Sequence, residues 1–358
     1  MSGCSGRGSR WRGSSTARSS PGRSRVVSTP PTDHTPPAAP TLDLERLRLR
    51  GTTRLRCAIS DAEATQPESD DPSTALRAAA GEANLPYEPA TLVRYGSNAV
   101  YRLPNKVIAR VSRPGAALDG ARRQVAVSRW LETVDYPATR VLDVGQPIEA
   151  DGRVVTFWHS ATDVEEYAPL DEVGYLLRDL HALESHPDVE LPEVRPFGED
   201  WEPLPEYPGL APADEEFLRD KYEWARLAFD ALPYELEPGI IHGDANVGNV
   251  LLDRTGQPVL IDLDSMATGP REWDLIQTAL FYDRLGWHTA EEYAAFVGAY
   301  GHDILGWHAY TDLAEIREIA MTSWLSKQAA TSEKSAREAA KRIEAIRTGG
   351  SRRDWSAY

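Results

Sequence analysis

The sequence is poor in cysteine and in long apolar runs. Its 358 residues include two cysteines, Cys4 and Cys57, so neither a disulfide framework nor a cysteine-ligated metal site is expected, which fits a reducing compartment. No window approaches the roughly 18 consecutive apolar residues that a membrane-spanning helix requires. The arginines near the beginning are not followed by the apolar stretch of a secretory signal. We therefore expect a cytoplasmic protein with no membrane partner.

Charge is distributed unevenly along the chain. Residues 1–60 hold 11 arginines against 3 acidic residues, a net charge of +8, and the remaining 298 residues carry −24. An acidic body repels nucleic acid, so no nucleic-acid partner is expected for the folded part. The same charge either keeps the protein soluble or lines a cleft that attracts a polycationic substrate, and composition leaves both readings open.

Composition and periodicity divide the chain into four parts. Residues 1–71 are basic and rich in Ser, Arg and Pro, with too little apolar area to offset chain entropy, and are predicted to be disordered. Residues 72–160 combine strand-like segments, including a tight hairpin predicted at Asn105 and Lys106, with two helical segments, STALRAAAGEANL (73–85) and GARRQVAVSRWLETV (120–134). Residues 161–330 show mainly helical periodicity around short strands, and one predicted helix places Val173, Leu176, Leu177 and Leu180 on a single apolar stripe. Residues 331–358 form a final helix and tail.

Three polar side chains stand between short apolar runs in the helical part. Asp244 and Asn249 lie five residues apart in IIHGDANVGNVLLD (240–253), and Asp262 lies in PVLIDLD (258–264). The intervening RTGQ predicts a hairpin that brings Asp262 alongside them. Phosphoryl transfer needs a carboxylate to orient and deprotonate a hydroxyl, and oxygen ligands that hold Mg²⁺ on the nucleotide phosphates. These residue types at this spacing point to that chemistry.

The motif resembles the signature of the aminoglycoside phosphotransferase and choline kinase family of small-molecule phosphotransferases. The residues that carry the resemblance are His242, Gly243, Asp244, Asn249, Ile261, Asp262, Gly269, Pro270, Trp273, Asp274 and Leu275. The resemblance implies an α+β, two-lobed, protein-kinase-like fold with a small N-terminal antiparallel sheet lobe and a larger, mainly helical C-terminal lobe. Residues 72–160 would then bind nucleotide, and residues 161–330 would carry the catalytic and substrate groups.

The resemblance also assigns roles within the motif. It makes Asp244 the catalytic base and Asn249 and Asp262 the ligands of Mg²⁺. Asp264 is a candidate for a second acidic group near the metal or the substrate. His242 is expected to pin the loop.

Two further residues of the helical part are expected to support the motif. Asp274 is expected to begin a helix and to hydrogen-bond backbone groups. His181, in a helix-end LHAL sequence, is expected to pack.

The N-terminal part also resembles the family, but it departs from the family pattern at two positions. GSNAVYRL resembles the hairpin that covers the nucleotide, which assigns Gly96, Ser97 and Asn98 to nucleotide binding. Arg110 stands where kinases have the lysine that grips the phosphates, and Gln124 falls near the position of its partner glutamate. Arginine binds phosphate in bidentate fashion and keeps its charge without a carboxylate, so Arg110 remains the expected phosphate contact. Lys106 is the alternative.

The interlobe hinge is expected at VVTFWHS. Its backbone groups would bind the adenine near Phe157, Trp158 and His159. The predicted activity is transfer of the γ-phosphate of ATP or GTP to a hydroxyl of a small polar molecule, amine-bearing acceptors included. A nucleotide-binding scaffold without catalysis and a protein kinase are the alternatives. Oligomeric state is not predicted.

Overall fold

The computed structural model describes residues 71–186 and 188–357. The predicted disordered extension, residues 1–71, lies outside the described residues except for Asp71. No helix in these ranges is long and apolar enough to cross a membrane. The described chain begins with a strand-rich lobe and continues into a helical lobe, which is the predicted α+β architecture.

The first lobe is a five-stranded antiparallel sheet with the order β1-β2-β3-β5-β4. The predicted hairpin at Asn105 and Lys106 is confirmed, because Leu103 pairs with Val107 across it. The strands are β1 (Thr91–Tyr95), β2 (Asn98–Leu103), β3 (Val107–Ser112), β4 (Ile148–Ala150) and β5 (Arg153–His159), and the helices are α1 (Ser73–Glu82) and α2 (Leu118–Thr133).

Alternation along β3 decides which side chains face the rest of the molecule. Its first, third and fifth residues are buried, and the others are partly exposed. The buried set packs with Leu76 of α1. On the opposite face, Ile108 packs with Val125 of α2 and Trp158 of β5, and Arg110 follows two residues later on the same face. The sheet therefore presents Arg110 away from the apolar core beneath α1.

The second lobe is built on apolar helix stripes. The predicted stripe of Val173, Leu176, Leu177 and Leu180 is buried. At Gly174 an added Cβ would lie 2.7 Å from the carbonyl oxygen of Phe296, so the glycine allows two helices to pack closely. The helices are α3 (Leu170–His181), α4 (Pro212–Ala231), α5 (Glu272–Asp283), α6 (Ala290–Tyr300), α7 (Tyr310–Ser326) and α8 (Glu333–Thr348).

Two short antiparallel ribbons carry the motif residues between these helices. Strand β6 (Gly239–Ile241) pairs with β9 (Ala267–Gly269), and β7 (Val250–Leu252) pairs with β8 (Pro258–Leu260). The second ribbon is the predicted hairpin. The loop after β6 and the loop after β8 consequently lie together, which places Asp244, Asn249 and Asp262 in one region.

Candidate active site

The loop after β6 is anchored by Asp274, a buried carboxylate in the first turn of α5. Its two oxygens accept hydrogen bonds from the backbone nitrogens of His242 (2.6 Å) and Gly243 (2.8 Å). The ring of His181 lies 3.0 Å from the same carboxylate and 2.8 Å from the hydroxyl of Tyr300. Burial opposes ionisation, but the hydrogen bonds and charge of His181 and His242 hold the pKa of Asp274 below its usual value. The predicted supporting role of Asp274 is confirmed, and His181, predicted only to pack, shares in it.

His242 ties the loop to the second ribbon. Its Nε2 lies 2.9 Å from the carbonyl oxygen of Ile261, and its Nδ1 accepts from the backbone nitrogen of Asp244 at 3.3 Å. Gly243 has φ of +82°, and a Cβ there would lie 2.2 Å from the carbonyl oxygen of Ser265. Only glycine fits this turn, and His242 pins the loop as predicted.

Asp244 is the open carboxylate of the site, with 45% of its side chain exposed. Its Oδ1 accepts from Nη2 of Arg317 at 2.5 Å. Its Oδ2 lies 3.4 Å from Nδ2 of Asn249, which also donates to the main-chain oxygen of Asp244 at 2.8 Å. Two side chains therefore orient the carboxylate while solvent, or a ligand hydroxyl, can reach it.

Asn249 and Asp262 are joined through the second ribbon, because the nitrogen of Ile261 donates to the carbonyl oxygen of Asn249 at 2.9 Å. Asp262 follows with φ and ψ of 61°, a left-handed turn at the end of the strand. The Asn249 amide nitrogen is used by Asp244, and its amide oxygen has no hydrogen-bond partner among the described residues. One carboxylate and one amide oxygen are hard ligands that suit Mg²⁺ alongside phosphate and water.

A larger cluster does not occur here. In residues 71–186 and 188–357, no group of three or more His, Cys, Asp or Glu side chains has metal-binding geometry. Magnesium on a nucleotide usually takes only one or two protein carboxylates, so the donor set of Asn249 and Asp262 still fits it.

Arg110 crosses from the sheet lobe to the loop after β8. Its Nη2 lies 3.0 Å from Asp262 and 2.6 Å from Asp264. Burial opposes its charge, but Asp264 and Asp262 raise the pKa of Arg110. Burial likewise opposes ionisation of Asp262, yet Arg110 holds the pKa of Asp262 below its usual value. Burial and the neighbouring charge of Asp262 raise the pKa of Asp264 to about 6 despite Arg110.

The carboxylate that pairs with Arg110 therefore does not come from helix α2, where kinases have a glutamate. Gln124 of α2 makes no side-chain hydrogen bond within the part of the chain that the structure describes. The carboxylate beside Arg110 instead comes from the loop after β8, at Asp264. Lys106 lies in the β2–β3 turn, where its carbonyl accepts from Ser160 at 2.8 Å, and none of its side-chain contacts in the described ranges reaches either carboxylate.

The turn between β1 and β2 lies over the same loop. The nitrogen of Gly96 donates to the carbonyl of Asn98 at 3.0 Å, and the side-chain amide of Asn98 lies 3.5 Å from Asp264. Arg113 donates to the carbonyl of Gly96 at 2.9 Å. Ser97 is exposed at the tip. Asn98 and Arg110 thus contact the loop that carries Asp262, and Gly96 and Ser97 lie beside Asn98 in the same turn.

The backbone of the predicted hinge is largely engaged within the protein. Phe157 donates its N–H to the side chain of Gln146 at 2.7 Å, and its carbonyl accepts from Leu142 at 2.9 Å. The nitrogen of His159 donates to the carbonyl of Arg140 at 2.8 Å. The Phe157 and Trp158 side chains are buried, whereas His159 is exposed. The backbone N–H and carbonyl of Phe157, which were expected to bind the adenine, thus already make hydrogen bonds within the protein, to Gln146 and Leu142.

Sequence reasoning missed Arg317, which lies in α7, 73 residues after Asp244. Its side chain is 9% exposed, and its Cζ lies 4.7 Å from the ring centre of Trp273. It also hydrogen-bonds the side chain of Gln277. No local spacing relates these residues to Asp244, so only the packing of α7 against α5 brings them together.

The model of the phosphotransferase enzyme family (APH) matches residues 94–318, more than half of the chain. A probable ketoamine kinase from Lactiplantibacillus plantarum is 40% identical over 75 residues, which are 21% of this chain and 25% of that protein. The chain therefore matches about a quarter of the length of this curated relative.

Solved structures give the fold. An amicoumacin kinase in complex with AMP-PNP and Ca²⁺ superposes with a TM-score of 0.58 at 15% identity, over 78% of this chain and 94% of that one. The GDP and kanamycin complex of APH(2")-IIia superposes with a TM-score of 0.53 at 12% identity, over 76% and 98%. The predicted two-lobed, kinase-like fold is confirmed.

Proposed function

The chain belongs to the phosphotransferase enzyme family, and on that premise we propose that it transfers the γ-phosphate of ATP or GTP to a hydroxyl of a small molecule. One observation carries the proposal. The open carboxylate of Asp244 shares a site with the oxygens of Asn249 and Asp262 and with the guanidinium of Arg110. These are the groups that phosphoryl transfer uses: a base, metal ligands and a phosphate-binding cation.

Asp244 is the proposed catalytic base. It accepts the proton of the acceptor hydroxyl while the hydroxyl oxygen attacks the γ-phosphorus and the bond to the nucleoside diphosphate breaks. Arg317 and Asn249 hold the carboxylate at 2.5 and 3.4 Å, so one orientation is favoured before the acceptor arrives. Fixing this orientation in advance lowers the entropy cost of reaching the reactive arrangement.

Asn249 and Asp262 are the proposed magnesium ligands. Their side-chain oxygens would hold the ion on the nucleotide phosphates, where it offsets the charge that builds up during transfer. The depressed pKa of Asp262 keeps this carboxylate ionised, as a ligand must be. Asp262 also pairs with Arg110, so nucleotide binding would exchange part of that ion pair for phosphate contacts.

Arg110 is the proposed phosphate contact of the sheet lobe, with Asp264 as the carboxylate that holds it in place. Support comes from the 2.6 Å contact between them and from the lack of a glutamate at Gln124. Gly96, Ser97 and Asn98 would cover the phosphates. The adenine or guanine ring of the nucleotide would contact backbone groups beyond Phe157, in the segment at and after His159. Residues 72–160 are thus the proposed nucleotide lobe and residues 161–330 the proposed catalytic and substrate lobe.

The acceptor is proposed to be a small polar molecule, amine-bearing acceptors included. The relatives act on or bind such molecules by name, a ketoamine and kanamycin among them. The net charge of −24 beyond residue 60 favours cations over nucleic acids at long range. A cytoplasmic location is part of the same proposal, since ATP and Mg²⁺ are supplied there.

The test is release of the nucleoside diphosphate (ADP from Mg·ATP, GDP from Mg·GTP) by the full chain across a panel of aminoglycosides, macrolides, amino alcohols, ketoamines and sugars. Asp244→Asn is the matched control, because it keeps one oxygen for Arg317 and removes the base. We expect acceptor-stimulated ADP release in the wild type alone, with nucleotide binding similar in both proteins. Turnover retained by Asp244→Asn would remove Asp244 from the chemistry, and nucleotide binding without turnover on any acceptor would favour the scaffold.

A further inference from the structure

Arg317 is a buried cation in direct contact with the proposed base. One nitrogen, Nη2, donates both to Asp244 and to Gln277, and the guanidinium lies over the ring of Trp273 at 4.7 Å. The side chain is 91% buried. These contacts hold the plane of the guanidinium next to Oδ1 of Asp244.

The remaining donors of Arg317 are unused. A guanidinium has five N–H donors, and only Nη2 makes hydrogen bonds within residues 71–186 and 188–357. Nε is fully buried without a partner there, and Nη1 has no hydrogen bond in the same ranges. Unlike Nε, Nη1 is not fully buried, so the oxygen of a ligand can reach Nη1 and accept its hydrogen bond.

We propose that Arg317 selects the acceptor, through a hydrogen bond from Nη1 to an oxygen on the carbon next to the reacting hydroxyl. The inference rests on the proposed phosphotransferase function and narrows its substrate class. Nη1 and Nη2 belong to one planar group, and Nη2 contacts Asp244, so an acceptor hydroxyl bound to Asp244 can place its neighbouring substituent beside Nη1. A hydroxyl or carboxylate there accepts the N–H. An ammonium cannot accept it and is repelled by the guanidinium. Any amine of the acceptor therefore lies away from the phosphorylated position.

The alternative is that Arg317 only stabilises the protein. The two roles can be told apart, because a second ion pair also holds α7 in place. Glu318, the next residue, is fully buried and pairs with Arg284 at 3.1 Å and with Arg352 at 3.1 Å on the side of the C-terminal tail. Arg284→Gln is thus a matched control. It removes an arginine that holds the same helix but does not contact Asp244.

The experiment compares matched acceptors that differ only in one substituent next to a hydroxyl: glucose with glucosamine, and galactose with galactosamine. The full-length wild type, Arg317→Gln, Arg317→Lys and Arg284→Gln are assayed for kcat/KM by ADP release. Binding of the same four sugars is measured by calorimetry with Mg·AMP-PNP. Loss of a hydrogen bond to a charged group corresponds to about 10- to 100-fold in binding. The wild type should therefore bind and phosphorylate the sugar with the hydroxyl at least about 10-fold better than the matching amino sugar.

Arg317→Gln should bring the two members of each pair to within about threefold, since its neutral amide neither repels an ammonium nor keeps a charged donor. Arg317→Lys should keep part of the preference, and Arg284→Gln all of it. If Arg317→Gln does not fold, the lysine variant and the wild-type binding ratio still decide.

The outcomes separate the two proposals. Turnover with no preference in the wild type, or with a preference that Arg317→Gln leaves unchanged, would overturn the role of Arg317 and leave the phosphotransferase intact. A binding preference that depends on Arg317, without turnover on any acceptor, would support the site and overturn the activity. Absence of both turnover and preferential binding would overturn both.

Discussion

Replacing Asp274 by alanine should destabilise the protein and disable the loop that carries Asp244. The fully buried carboxylate accepts hydrogen bonds from two backbone nitrogens, at 2.6 and 2.8 Å, and lies 3.0 Å from the ring of His181. Alanine leaves all three groups without their acceptor. Removing one partner from a buried, charged network costs about 3–5 kcal/mol of unfolding free energy. For a chain of this size that corresponds to a fall in Tm of roughly 10 °C.

The assay is urea unfolding at pH 7, followed by circular dichroism, together with the thermal midpoint. Asp283→Ala is the matched control, since Asp283 lies in the same helix but is exposed, and its side chain accepts one hydrogen bond, from Tyr310 at 3.0 Å. We expect the control to lose less than about 1 kcal/mol. Turnover should fall about 100-fold in Asp274→Ala, because displacement of the loop moves Asp244 away from the acceptor. Equal stability of the two variants would refute this account of the network.

Two further predictions concern a turn and a histidine. Gly243→Ala should abolish turnover and destabilise the protein by more than about 2 kcal/mol, because its Cβ would lie 2.2 Å from the carbonyl oxygen of Ser265. The control is Gly256→Ala, at a similar φ of +81° but with open space around it. This variant should lose only about 1 kcal/mol of stability and keep its activity. Burial lowers the pKa of His288 to about 4. Because the unfolded chain binds this proton near pH 6.5, the contribution of His288 to stability should fall by about 2 kcal/mol between pH 7 and pH 5. The same change of urea midpoint across that range in the wild type and in His288→Phe would contradict this prediction.

Much of the secondary structure follows from local patterns. The alternating burial of β3 and the stripe of Val173, Leu176, Leu177 and Leu180 were both readable as periodicities of two and of about 3.6. The hairpin after Leu252 was readable from its polar turn. Such features depend on residues a few positions apart, so one sequence is enough to predict them.

The hinge marks the limit of this reasoning. Its position was predicted mainly from the order of the segments along the chain. The use of the Phe157 backbone by Gln146 and Leu142 depends on a loop that returns to the edge of β5. A hydrogen bond between segments more than ten residues apart leaves no periodic trace in either segment, so sequence reasoning assigned those groups to a ligand.

The sequence by itself determined the family and the residues with which phosphoryl transfer could be performed, because Asp244, Asn249 and Asp262 lie within a span short enough for two strands and a turn to bring them together. Only the tertiary structure decided their partners. Arg110 meets Asp264 across the two lobes at 2.6 Å, and Arg317 reaches Asp244 at 2.5 Å from a helix 73 residues further on. Such contacts arise from how whole helices and sheets pack, and packing is a property of the entire chain.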